Sequence, residues 1–140
     1  MNVRVSEVMT CGVETVSSAA TLEEAGKKMR MRNVGMLPVV DDEKVVGVVT
    51  DRDIVLRAVS ERMRPEMTRV REVMTRQALY CYEDQDITEA SLVMEKHFIH
   101  RLVVLNRKDM LVGVVSLSDI AAKTRNEELS GHVLGMVSAA

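Results

Sequence analysis

Aromatic residues are almost missing from this chain: two Tyr, one Phe and no Trp, 2% of its 140 residues. Stacking platforms for single-stranded RNA or DNA are therefore essentially absent. An excess of one charge is lacking too. Lys and Arg number 19 against 21 Asp and Glu, a net charge of −2, so no overall field draws the chain to nucleic acid. Two cysteines, Cys11 and Cys81, make no disulfide framework and suit a reducing compartment. A membrane span needs about 20 consecutive apolar residues. The densest runs here, Val45 to Val49 and Leu111 to Val115, are far shorter and read as buried strands. The first residues, Met1 to Glu7, lack the apolar core of a signal peptide. The expectation is a cytoplasmic protein with no membrane and no nucleic-acid partner. What is present is a globular balance, 46% hydrophobic and 29% charged, in a length that suits one compact domain or two very small ones.

An internal repeat organises that length. Val5-Ser6-Glu7-Val8-Met9-Thr10 returns 65 residues later as Val70-Arg71-Glu72-Val73-Met74-Thr75. Leu22, Ala25 and Met29 return at the same spacing as Ile87, Ala90 and Met94. Gly47 to Ile54 returns at a spacing of 66 as Gly113 to Ile120, so one residue slips in between Leu105 and Leu111, where a turn absorbs it. Matched blocks in one order at nearly one spacing indicate a tandem duplication: repeat 1 over 1–60, a linker over 61–69, repeat 2 over 70–125, and a C-terminal helix or tail over 126–140.

Each copy predicts the same elements. A short extended stretch (Val13 to Val16; Ala78 to Tyr82) precedes a capped helix. Thr21 with Glu24 forms a capping box, and Asp86 caps the second copy. Apolar spacing at 22, 25, 29 and at 87, 90, 94, 98 marks one buried helix face. Two β-branched strands follow, Leu37 to Val40 with Val45 to Val49, and Leu102 to Leu105 with Leu111 to Val115. A second helix starts near Asp51 and near Leu117. The fold class is α+β, two tandem β-α-β-β-α units. At about 65 residues neither buries a generous core alone, so the two are expected to pack together through their sheets.

Chemistry is expected at the strand-to-helix junctions, where Thr50 and Asp53 in the first copy match Ser116 and Asp119 in the second. One reading is structural: Thr-x-x-Asp approximates a capping box. The other is a nucleotide site. Free amides at a helix start suit phosphate, the hydroxyl can donate to it, and a carboxylate one turn on can accept two vicinal sugar hydroxyls. Gly47 and Gly113, inside strands, point to a close approach to the backbone.

The segments GVVTDRDI and GVVSLSDI resemble the signature of the cystathionine β-synthase (CBS) domain, and with VMT, TLEEA and GMLPVVD the resemblance runs from Val5 to about Lys123. Two in tandem are similar to a CBS pair, or Bateman module. The resemblance implies pseudo-two-fold symmetry, a disk-shaped homodimer, and an adenine nucleotide (AMP, ADP, ATP or NAD) bound in clefts between the repeats. It implies phosphate on Thr50 and Ser116, and ribose on Asp53 and Asp119. Ile99-His100-Arg101-Leu102 is also similar to a segment of the AMP-activated protein kinase gamma subunit, which implies that His100 and Arg101 face phosphates. Gly35 and Met36 stand in their place in the first copy, so the Asp53 site would have weaker phosphate contacts unless it borrows Arg101 or a linker arginine. Adenine is expected against Thr15, Val16, Tyr82, Val48 and Val114, with Met36 near the first site. An S-adenosyl ligand matches His100 and Arg101 poorly.

The expected function is a regulatory, metabolite-sensing module acting on a separate protein, with no required cofactor. A ligand-independent interaction scaffold is the alternative. An enzyme is not expected: neither a barrel nor a nucleophile–base pair is legible, and Cys81 reads as a buried small hydrophobe. No metal is expected either, since Cys11, Cys81, His97 and His100 lack zinc-ligand spacing. Repeat-equivalent Met9, Met29, Met74 and Met94 read as core, and the arginines from Arg62 to Arg76 as a solvated linker.

Overall fold

A computed structural model describes residues 2–123; the helix or tail expected over 126–140 lies outside the described residues. The elements are α1 (Leu22–Arg32), β1 (Met36–Asp41), β2 (Lys44–Thr50), α2 (Asp51–Ile54), β3 (Tyr80–Tyr82), α3 (Ile87–His97), β4 (Arg101–Leu105), β5 (Leu111–Ser116) and α4 (Leu117–Lys123), with a π-turn over Val55–Val59 after α2. The described residues divide into two compact units, one of residues 13–78 and the other of residues 2–12 with 79–123. The unit boundaries cross the sequence repeats: the opening segment of each repeat packs in the unit built on the other.

In the 13–78 unit, β1 and β2 form an antiparallel hairpin. The turn is tight because Asp42 and Glu43 both take positive φ, 50° and 66°, the twist that two-residue hairpins favour. On one flank Val16 bridges Val39 in parallel; on the other, Thr75 bridges Val48. Thr21 caps α1 by accepting from the Glu24 amide at 3.2 Å, and Glu24 accepts from the Thr21 amide at 3.1 Å. Leu22, Ala25 and Met29 then lie buried against Val16, Leu37, Val39 and Val49, closed by Val70, Val73 and Met74 from the second repeat.

The other unit repeats this plan. Its sheet runs β3-β4-β5, with β3 parallel and β5 antiparallel to β4, and Thr10 bridges Val114. Asp86 caps α3 by accepting from the Thr88 amide at 2.8 Å. Ile87, Ala90 and Met94 pack with Leu102, Val104, Leu117 and Ile120, closed by Val5 and Val8 from the first repeat. The inserted residue falls in the hairpin, as the repeat spacing requires: Val40 pairs with Val45, whereas Leu105 pairs with Leu111.

One expectation changes and two gain detail. Phe98, placed by spacing on the buried face of α3, is 91% exposed. The helix ends at His97 and Phe98 turns left-handed, φ 54°, so its side chain leaves the stripe. The second helix of repeat 1 is a single α turn that widens into the π-turn. The linker is tied down: Thr68 is buried, its hydroxyl donates to the Arg64 carbonyl at 2.7 Å, and Arg69 donates to the Ala19 carbonyl at 2.9 Å.

Candidate functional site

Each central hairpin delivers a hydroxyl residue at the last position of its strand and a carboxylate three residues on. In the 13–78 unit the Asp53 amide donates to Thr50 Oγ1 at 3.0 Å and the Thr50 amide donates to Asp53 Oδ2 at 3.0 Å. The other unit repeats this with the Asp119 amide on Ser116 Oγ at 2.9 Å and the Ser116 amide on Asp119 Oδ2 at 3.1 Å. Both are complete capping boxes. Each hydroxyl still has its proton to donate and each carboxylate its second oxygen.

The second oxygen differs between the two. Asp53 Oδ1 accepts weakly from the Thr75 hydroxyl at 3.4 Å and stands 3.8 Å from Arg57 Nη1. That same Nη1 donates to the carbonyls of Val73 and Met74 at 2.9 and 3.1 Å. Arg57 thus ties the π-turn to the segment that runs past Asp53.

The strand glycines have an explanation inside the chain. A Cβ on Gly47 would collide with the Thr75 carbonyl oxygen, and one on Gly113 would stand 2.6 Å from the Thr10 carbonyl oxygen and 3.0 Å from Met9 Sδ. The close approach inferred from the sequence is made by the opening segment of the other repeat. Val48 and Val114 spend their amides and carbonyls on the same pairing, with Thr75 and Thr10.

Cross-strand register sets the neighbours of each hydroxyl: Met36 opposite Thr50, and Arg101 opposite Ser116. His100 and Arg101 are exposed, and the His100 carbonyl accepts from the Leu117 amide at 3.0 Å. Thr15 and Val16 lie beside β1, where the Thr15 carbonyl accepts from Lys28 at 2.7 Å. Tyr82 is not brought to Ser116. It pairs with Leu105, which pairs with Leu111, at the other end of β5, roughly 17 Å away along the strand. There Arg107 lies over its ring at 4.1 Å, its hydroxyl donates to Asp109 at 3.0 Å, and hydrogen bonding with Tyr80 and then with Asp109 pushes it up to about 12. The tyrosine nearer the Arg101 end is Tyr80, half exposed, which pairs with Val103. Only strand register separates the two, and the sequence does not carry it. Cys81 is buried, and that burial pushes its thiol up to about 12.

The CBS-domain family model matches residues 5–60 and 70–125. The chain belongs to the CBS-domain family. Its α+β architecture is that of a tandem CBS pair, and such pairs are regulatory modules. It is 37% identical over 134 residues to the CBS domain-containing protein YhcV of Bacillus subtilis, covering 96% of this chain and 94% of that one. Among solved structures it is similar to Hypoxic Response Protein I with two coordinated zinc ions (TM-score 0.80, 32% identity, 87% of this chain and 99% of that one). It is likewise similar to a hexameric CBS-CP12 protein from bloom-forming cyanobacteria (TM-score 0.81, 27% identity, 91% and 71%). A third is the CBS pair of MJ0100 in complex with 5′-methylthioadenosine and S-adenosyl-L-methionine (TM-score 0.75, 25% identity, 87% and 95%). The zinc belongs to that first protein; among the described residues of this CBS pair no three His, Cys, Asp or Glu side chains group to hold a metal. Among the described residues no helix is long and apolar enough to cross a membrane.

Proposed function

We propose that this CBS pair is a regulatory module that binds adenosyl ligands, taking the ribose hydroxyls on Asp53 and Asp119 and the 5′ group beside Thr50 and Ser116. The observation that carries the reading is the repeated hydroxyl–carboxylate pair at two equivalent strand ends, in a family with a similar pair in complex with two adenosyl compounds. Asp53 accepts from Thr75 of the other repeat, and Val114, two residues before Ser116, pairs with Thr10 of the other repeat, so occupancy would bear on segments from both repeats. AMP, ADP, ATP and NAD carry the same ribose, and Arg101 beside Ser116 suits phosphate oxygens. A homodimer acting on a separate protein is the assembly we expect; light scattering on the purified chain tests the stoichiometry against a hexamer.

The complete capping boxes favour one second reading, a scaffold whose Thr, Ser and Asp only cap helices. Thermal melting with AMP, ADP, ATP, NAD, 5′-methylthioadenosine and S-adenosylmethionine separates the two. A ligand at 100 times its dissociation constant adds about 2.7 kcal/mol, a rise of roughly 3–6 °C for this size. The sensor reading expects such a rise, diminished in Asp53→Ala or Asp119→Ala. No rise with any compound, in protein free of co-purified nucleotide, leaves the scaffold.

A further inference from the structure

Thr75 and Thr10 hold the same place in the two repeats and use their hydroxyls differently. Their backbones pair alike, Thr75 with Val48 and Thr10 with Val114. The Thr75 side chain is half-buried and its hydroxyl donates to Asp53 Oδ1 at 3.4 Å, whereas Thr10 is exposed. Among the described residues the Asp119 carboxylate accepts from the Ser116 amide alone.

Arg57 keeps Thr75 in reach of Asp53. Its Nη1 carries two protons, and they go to the carbonyls of Val73 and Met74 at 2.9 and 3.1 Å. Neither is left for Asp53 Oδ1, 3.8 Å away, so the guanidinium acts on that carboxylate through charge. One oxygen of Asp53, Oδ2, is thus committed to the Thr50 amide at 3.0 Å, and the other holds only a weak donor. With the Asp53 side chain 12% exposed, a further donor and the Thr75 hydroxyl compete for Oδ1. A sugar hydroxyl that closes to about 2.7 Å makes the stronger bond there.

Resting on the adenosyl reading above, we infer that Thr75 sets the affinity of the Asp53 junction. In the free protein its hydroxyl stands in for a ribose hydroxyl on Asp53 Oδ1, and a ligand takes that oxygen by displacing it. The Asp119 junction carries no such competitor. Thr75→Val removes the hydroxyl and keeps the branched shape. The free protein then loses a hydrogen bond that the occupied protein has already given up, so stability lost in the free state returns as affinity.

Calorimetric titration of AMP and 5′-methylthioadenosine, which share the ribose, tests this in the full chain. Asp119→Ala leaves the Asp53 junction to be read by itself, and Asp53→Ala leaves the other. In the Asp119→Ala background, Thr75→Val is expected to tighten both compounds about fivefold, the size of one ordinary hydrogen bond. Thr75→Ser keeps the hydroxyl and is expected to bind like its parent. In the Asp53→Ala background, Thr10→Val is expected to change nothing. Free Thr75→Val should melt below its parent, and the gap should close at saturating 5′-methylthioadenosine; a purely structural hydroxyl would lower melting in both states. If Thr75→Val does not fold, Thr75→Ala removes the hydroxyl without adding a methyl and carries the same expectation. Affinity unchanged or weakened on loss of the Thr75 hydroxyl overturns the inference. So does equal tightening by Thr10→Val, or a Thr75→Ser affinity equal to that of Thr75→Val. A wild type that binds neither compound defeats the adenosyl reading and this inference with it; binding in wild type that is absent from Asp119→Ala defeats this inference alone.

Discussion

Thr75 and Val48 exchange two backbone hydrogen bonds, Thr75 amide to Val48 carbonyl at 2.8 Å and Val48 amide to Thr75 carbonyl at 3.0 Å. This pairing holds the opening segment of repeat 2 against a strand of repeat 1, and it requires bare backbone at Gly47, where the Thr75 carbonyl and the Arg76 Cα crowd any side chain. Gly47→Ala should therefore lower stability by about 1–3 kcal/mol, an overpacking cost. Urea denaturation reads it directly. A midpoint equal to wild type would show that the segment yields freely.

Arg57 holds the same segment from the other side through the carbonyls of Val73 and Met74. Arg57→Ala should cost about 1–2 kcal/mol, reduced from the buried case because the side chain is half exposed. Arg57→Lys should not restore it, since one ammonium does not reproduce the fork of the guanidinium. Full recovery by Lys in a denaturation series would assign the effect to charge alone.

Acid should weaken the fold through Asp41 and Asp84. Hydrogen bonding from Ser18 holds the Asp41 carboxyl below its ordinary value, and hydrogen bonding from Arg107 does the same for Asp84. A carboxylate with a depressed folded pKa stabilises above its unfolded value, about 3.9, and that contribution is lost as pH falls through the folded value. Unfolding midpoints measured between pH 7 and pH 2.5 should drop below about pH 4, and drop less in an Asp41→Asn, Asp84→Asn double variant. Equal drops in the two proteins would contradict this.

The two cysteines should react differently. Cys11 is exposed, while Cys81 is buried with its thiol pushed up to about 12, and the thiolate is the reacting form. A disulfide reagent at pH 8 should titrate one thiol in the native protein and the second only on unfolding. Two fast thiols would mean that β3 opens readily.

The helices α1 and α3, their caps and the hairpins were legible because capping and hydrophobic period are local signals, complete within a few residues. Thr21 with Glu24, and Leu22, Ala25 and Met29 on one face, are all within one or two helical turns. Phe98 escaped because one left-handed residue ends the stripe, and the period does not report where a helix stops. The end of the sheet that Tyr82 occupies was not legible for another reason. Two tyrosines one residue apart on either side of Cys81 are interchangeable in sequence, and only pairing with β4 shows which end of the sheet each occupies.

The duplication, the order of elements and the two hydroxyl–carboxylate pairs follow from the amino-acid sequence by itself, since each is carried by neighbouring residues or by direct comparison of the two copies. The tertiary structure decided which unit each opening segment joins, what crowds Gly47 and Gly113, and that the Asp51 carboxylate stands over Gly35. Those outcomes depend on backbone pairing between segments far apart in the chain. The residues on each side read the same whichever partner they meet, and only the packed core selects one.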